Sequence, residues 1–290
     1  MDAFPLAESI RQMIGIVIVS YRSDDRTVAF VQGQLSRLSE PHRIVVVDNG
    51  ATEEEAAALA GRIPEAVVIP AENRGFAAGN NLGVQYLEEK VHPDYILFTN
   101  NDIEFTEDGV IETLVRTAEA HPEAGAFGPA VVGLDGKRQG PEPYQGLWKR
   151  FVWMYLSTPF LKAAAKRRIF DLDYPEKAEE GPHYKLSGSF LLVRTADFLQ
   201  AGGFDEKTFL YAEENILSER YARIGKVFYF VPSVSVLHRH GETIGARYDA
   251  RRCSLLQFDS MGYYYSAYKS YPRWSVALAR KLFSLILRTR

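Results

Sequence analysis

The stretch DYILFTNNDIEF, residues 94–105, begins with Tyr95, Ile96, Leu97 and Phe98 in a row and then breaks off at Asn100-Asn101-Asp102. Consecutive large apolar residues suit a strand covered on both faces. Two amides and a carboxylate at its carboxyl end suit a different task, because ligands of open α/β sheets collect just beyond the strand ends. Asp102, with Glu104 close behind, is the kind of carboxylate that Mg²⁺ or Mn²⁺ takes alongside phosphate oxygens. It could equally cap a helix beginning near Thr106 or close a turn.

Similar apolar runs lie upstream: IGIVIVS (14–20), RIVVVD (43–48) and AVVIP (66–70). Helical stretches around Asp24 to Leu38, Thr52 to Arg62 and Phe76 to Lys90 separate them. This alternation predicts an α/β fold, a mostly parallel sheet with right-handed crossovers and helices on both faces. The strand ends read Ser20-Tyr21, Asp48-Asn49-Gly50 and Asn73-Arg74-Gly75, all polar. Beyond Gly125, strands are expected at GAFGPAVV, KLSGSFLLV (185–193) and KVFYFV (226–231). Helices are expected over TADFLQA, closed by Gly202-Gly203, and from about Ala212 to Ile224. Residues 133–183 are irregular and punctuated by proline.

With 46% hydrophobic residues, a chain of 290 can fill the core of one large domain. A net charge of −3 argues against a nucleic-acid partner. Cys253 is the sole cysteine, so no internal disulfide forms and a reducing, cytoplasmic compartment is expected. The start MDAFPLAESIRQM lacks a basic segment followed by an apolar run, and no window offers the roughly 18 apolar residues of a membrane span. A soluble or peripheral protein is expected.

The loop NRGFAAGNNLG (73–83) combines Gly75 and Gly79, which permit close backbone approach, with the Arg74 guanidinium and a following helix N-terminus. That set suits a diphosphate. It is neither a Walker loop nor a dinucleotide fingerprint, and a glycine-rich turn is the plainer alternative.

Seven stretches in order resemble the inverting family 2 glycosyltransferases, especially their bacterial rhamnosyltransferase-like branch: IVIVSYRS, VVVDNG, NRGFAAGNN, FTNNDIEF, LSGSFLLVR, GGFDEKTFLYAEE and VLHRHG. The resemblance spans about Ile14 to Gly245 and implies a GT-A fold over 1–250, a C-terminal helical appendage over 251–290, a dTDP- or UDP-sugar donor and a divalent cation, Mg²⁺ or Mn²⁺. The family's Asp-x-Asp element falls on Asn100-Asn101-Asp102, which leaves Asp102 as the carboxylate expected on the metal. Its neutral amide predicts weak metal binding without donor. The resemblance also implies that Asp48 accepts from the N3–H of uracil or thymine, whereas cytosine presents an acceptor there. Ser20, Tyr21 and Arg74 would line the base and ribose pocket, and Asn73, Gly75, Asn80 and Asn101 would join them in binding donor. His238 would approach metal and diphosphate, with His240 as a lesser candidate. Glu213-Glu214 stands where the family places its base. Glu214 is expected to take the acceptor hydroxyl proton, with Glu213 supporting it at the acceptor site.

After Asp259 the chain has no acidic residue, while Lys269, Arg273, Arg280, Lys281, Arg288 and Arg290 are interleaved with tyrosines and Trp274. On a helical wheel Trp274, Leu278, Leu282, Leu285 and Ile286 share one face, and Arg280, Lys281, Ser284 and Arg288 the other. Such a helix suits an anionic membrane surface or packing on protein. The basic, aromatic stretch from Trp148 to Phe170 could join that surface.

The expected function is therefore sugar transfer to a hydroxyl of a cell-surface polysaccharide or lipid-linked acceptor at the inner membrane face, with rhamnose the sugar leaned towards. Two alternatives stand beside it. A non-catalytic nucleotide-sugar-binding subunit would explain Asn100 and Glu214 as marks of lost activity. A sugar-1-phosphate nucleotidyltransferase would need a glycine-rich loop where this chain has SYRSDD. The oligomeric state, a homo-oligomer included, is open.

Overall fold

The computed structural model describes residues 12–157, 160–239 and 250–288. Its strands are β1 (Ile14–Ser20), β2 (His42–Asn49), β3 (Ala66–Ala71), β4 (Tyr95–Thr99), β5 (Ile103–Phe105), β6 (Ala124–Gly133), β7 (Gly181–His183), β8 (Phe190–Arg194) and β9 (Val227–His238). The first helices are α1 (Asp24–Gly33), α2 (Glu53–Arg62), α3 (Phe76–Lys90) and α4 (Val110–Ala120). Short helices α5 (Met154–Leu156), α6 (Ala163–Ile169) and α7 (Tyr174–Lys177) break up the proline-rich insert. Then come α8 (Thr195–Gln200), α9 (Glu213–Arg223), α10 (Ala250–Tyr268) and α11 (Arg273–Ile286).

The sheet runs β3-β2-β1-β4-β8-β6-β9, with β5 and β7 both paired to β9. β1 to β4 are parallel; β8 enters antiparallel between β4 and β6, and β9 returns parallel to β6. Alternate residues of the apolar strands serve opposite cores, which is why they read as continuous runs. Ile16, Ile18, Ile44 and Val46 join Phe30, Leu59 and Leu114, whereas Val17, Val45 and Val47 meet Ala77, Val84 and Leu87 of α3. Each fully buried valine, leucine, isoleucine or phenylalanine among them contributes about 1.5–3 kcal/mol.

The helix limits follow local chemistry. Thr52 accepts from Glu55 N while the Glu55 carboxylate accepts from Thr52 N, a reciprocal cap that starts α2. Asp102 caps no helix: the residues after it form β5, and α4 begins only at Val110 behind the left-handed Gly109. The run KVFYFV extends through Pro232 to His238, because a register shift at Pro129/Ala130 lets β9 stay paired to β6 past the proline.

The C-terminal helices pack on the fold. Phe258, Met261, Tyr264, Tyr265, Ala279 and Phe283 share a core with Leu147, Phe151 and Val152 of the insert and with Ala212 and Ile216 at the start of α9. No described helix is long and apolar enough to cross a membrane.

Candidate active site

β4 stops at Thr99, and the chain turns through Asn100-Asn101-Asp102 into β5, which pairs with the last residues of β9 so that Ile103 faces His238. Arg239 N donates to Asp102 O, fixing the register. This pairing brings the opening stretch's carboxylate beside a histidine from the far end of the chain. His238 Nε2 lies 3.1 Å from Asp102 Oδ1 and 3.4 Å from Asn100 Nδ2. On the other side of the ring, Nδ1 meets Gln139 Oε1 at 2.6 Å. An amide oxygen only accepts, so Nδ1 donates to Gln139, which leaves Nε2 facing the Asp102 carboxylate. Asp102 Oδ1 is buried and no hydrogen bond reaches it. Burial alone would raise the Asp102 pKa, but His238 beside it and Arg26 farther off outweigh that and hold it below the usual carboxylate range.

A hard cation fits this pair, because a buried carboxylate oxygen and an imidazole nitrogen face each other at the strand end. Gln139 accepts from the far ring nitrogen, the place an outer partner of a ligating histidine takes. Among the described residues no group of three His, Cys, Asp or Glu gathers, so further ligands would come from diphosphate oxygens and water.

Asn101 donates to Ser23 Oγ and Thr27 Oγ1, each at 2.9 Å, and Ser20 Oγ meets the same two hydroxyls. This buried network ties the end of β1 to the turn after β4. Asn49 Nδ2 donates to Gly75 O, and Asn73 Oδ1 accepts from Gly75 N. Gly75 has φ +102, and a Cβ there would strike the carbonyl of Phe209, whose oxygen accepts from Phe76 N. Its missing side chain therefore makes room for protein backbone.

Tyr211 and Ala212 are both left-handed, with φ of 72° and 73°, and launch α9 directly behind them. Holding two such residues costs about 1–2 kcal/mol each, and the result is that Glu213 and Glu214 enter the cleft. Glu213 is buried with Oε1 unpartnered. Burial first, and then the Glu214 charge, push its pKa up to about 8 against a weaker pull from Lys185. Lys185 and Arg150 instead clamp Glu142, at 3.0 and 3.2 Å, and their charges overcome its burial to hold it at about 2.

One cleft of about 800 Å³ joins these features. Of the expected residues it is lined by Tyr21, Asn73, Gly75, Asn101, Asp102, Glu213, Glu214 and His238. Ser20, Asp48, Arg74 and Asn80 do not line it. Ser20 is sealed in its hydroxyl network, Asn80 donates to Phe76 O inside α3, and Arg74 pairs on the surface with Glu206 at 2.9 Å. Asp48 points to the opposite face from its neighbour Asn49, which does line the cleft. It is buried, and burial, with Asp24 and Glu55 adding to it, raises its pKa to about 6. His240 lies outside the described residues.

A cleft with a cation-ready carboxylate and imidazole at the strand ends and a carboxylate pair at a helix start can bind a diphosphate and deprotonate an alcohol. Residues 15–174 match the family described as Glycosyl transferase family 2. The chain belongs to glycosyl transferase family 2. It is 28% identical over 254 residues to an N-acetylglucosaminyl-diphospho-decaprenol L-rhamnosyltransferase of Mycobacterium tuberculosis, covering 80% of this chain and 78% of the relative. Rhamnosyltransferase WbbL of Escherichia coli is 27% identical, covering 78% of this chain and 83% of its own. In fold it is similar to the mannosyltransferase PcManGT of Pyrobaculum calidifontis, solved with GDP-Man and Mn²⁺, with TM-score 0.59 at 11% identity over 99% of this chain and 78% of that one. It is similar also to S. aureus TarS, with TM-score 0.51 at 12% identity over 88% and 72%. The fold is GT-A-like, mixed α/β with the helical hairpin at its C-terminus.

The family 2 motifs account for the strand ends but not for every cleft residue. Gln139, Glu142, Arg150 and Lys185 come from or beside the irregular insert, where no periodicity marks a residue as inward-facing. Their one signal was basic and acidic side chains set among aromatics.

Proposed function

We propose that this family 2 glycosyltransferase moves a sugar, with rhamnose favoured, from a dTDP- or UDP-sugar to a hydroxyl of a lipid-linked or cell-surface glycan acceptor, with inversion and with help from Mg²⁺ or Mn²⁺. The observation that carries this reading is the meeting of Asp102, His238 and Glu214 in one cleft. The names of the rhamnosyltransferase relatives support the choice of sugar.

Asp102 and His238 would hold the cation. When bound, the cation neutralises charge on the departing diphosphate. Glu214 takes the proton of the acceptor hydroxyl as its oxygen bonds to the anomeric carbon and the bond to the diphosphate breaks; attack from the face opposite the leaving group inverts the centre. Glu213, neutral at pH 7 by its raised pKa, sits beside Glu214 without adding a second buried charge.

Approach to a membrane is part of the proposal. α11 packs inward through Ser275, Ala279 and Phe283 and leaves Trp274 (70% exposed), Leu278 and Leu285 outside with Arg273, Lys281 and Arg288. The buried stripe and the outer stripe split the single apolar face expected from the helical wheel. Trp148 Nε1 donates to Ser275 Oγ and joins α11 to the turn over 149–156, which exposes Trp153 and Leu156 and lines the cleft with Met154 and Tyr155. An anionic inner-leaflet surface fits such a basic, aromatic face, and a lipid-linked acceptor could then reach the cleft without leaving the bilayer.

A thermal-shift panel of dTDP-, UDP- and GDP-sugars, each with and without Mn²⁺, tests the donor class. Stabilisation by a dTDP- or UDP-sugar that grows with Mn²⁺ is expected. Stabilisation confined to GDP-sugars, or unaffected by Mn²⁺, would overturn it.

A further inference from the structure

Glu214 lies across the backbone of Gly188. A Cβ built at Gly188 would stand 2.9 Å from Glu214 Cδ and 3.0 Å from its Cγ, and would collide with Oε1. Gly188 itself is outside the left-handed region, so left-handed strain does not bar alanine, and the three nearest atoms that an added Cβ would meet all belong to Glu214. The floor beneath Glu214 is firmly held. Ser187 and Ser189 hydroxyls meet at 2.9 Å, Ser189 O accepts from Asn100 N, and Glu142 N donates to Lys185 O. The roof is held too, since Ala212, Ile216 and Leu217 at the start of α9 are buried in the hydrophobic cores. Neither backbone is free to retreat.

We propose that Gly188 is a positioning residue for Glu214: the empty space at 188 sets where the glutamate carboxylate rests, on a strap hydrogen-bonded to the same turn that carries Asp102. The proposal rests on Glu214 being the base. The side chain runs flat over the glycine, and the bond from Ser189 O to Asn100 N keeps its carboxylate in register with the cation side.

The test is a double-mutant cycle of Gly188→Ala with Glu214→Asp, whose shorter side chain frees room for the new methyl. Turnover uses the donor found by the thermal-shift panel, and binding uses dTDP and UDP with Mn²⁺. G188A is expected to keep its Tm within about 2 °C and to keep nucleotide affinity, while kcat falls about 10- to 100-fold from a carboxylate displaced by ~1 Å. In the E214D background the same alanine is expected to cost less than about threefold, a coupling that independent sites would not give. Wild-type kcat in G188A, or equal losses in both backgrounds, overturns the proposal. Full turnover in Glu214→Gln would instead overturn the role of Glu214 as base. A crystal structure of G188A then decides the pairing by itself: a displaced Glu214 carboxylate supports it, and an unmoved one refutes it.

Discussion

His238 Nε2 and Asp102 Oδ1, far apart in the chain, face each other at 3.1 Å because β5 and β9 pair with Ile103 opposite His238. Gln139 holds the imidazole from its far side. If that orientation serves a cation, Gln139→Ala should weaken Mn²⁺ affinity in the presence of UDP by about 10- to 100-fold, the usual cost of losing such an outer partner. Mn²⁺ titration by calorimetry checks this, and Asp102→Asn should lose the Mn²⁺ effect altogether.

Glu213 links stability to pH. Its folded pKa of about 8 stands above the unfolded 4.5, so the native state holds a proton that the unfolded chain has released. Its contribution is fully present below about pH 4.5, declines as the pH rises, and is gone above about 8. Glu213→Gln removes the carboxylate that must ionise. Its Tm is expected to exceed wild type by at least about 3 °C at alkaline pH, given ~2–4 °C per kcal/mol, with little difference near pH 4.5. Melting curves across that range decide it.

The reach of the sequence differs along the chain. α3 was legible to its ends, Phe76 and Lys90, because a glycine precedes it and lysine closes it. The first four strands were legible as doubly covered runs. β5 was not, since three residues whose only partner is a distant strand carry no periodicity of their own. Strand ends told which polar residues reach the carboxyl edge but not which way each points: Asp48 and Asn49 are neighbours, and only Asn49 lines the cleft. In α11 the wheel located an apolar helix correctly but could not know that Ala279 and Phe283, rather than Trp274 and Leu278, would be covered, because the insert that covers them lies over a hundred residues earlier.

Asp48 offers a second pH effect, on binding. Its pKa of about 6, raised first by burial and then by Asp24 and Glu55, leaves it protonated in mild acid. If a pyrimidine bound in the cleft extends past its lining to place N3–H on the Asp48 carboxylate, UDP and dTDP should bind several-fold more weakly at pH 5 than at pH 7.5, about the difference between a charged and a neutral acceptor. Asp48→Asn should bind weakly at both pH values and lose the slope.

The outer stripe of α11 predicts lipid binding. Replacing Trp274, Leu278 and Leu285 together with serine removes exposed apolar surface and leaves Ser275, Ala279 and Phe283 in their core. Wild type should sediment with vesicles containing anionic lipid, less so as salt rises. The triple variant should stay in the supernatant with its Tm unchanged.

The central claim is that Glu214 deprotonates an acceptor in the same cleft where Asp102 and His238 meet the donor's diphosphate. The direct measurement is Glu214→Gln, assayed for turnover and, by calorimetry with Mn²⁺, for nucleotide binding. Turnover is expected to fall about 10²- to 10⁴-fold with nucleotide affinity preserved, whereas turnover at the wild-type rate would contradict the account.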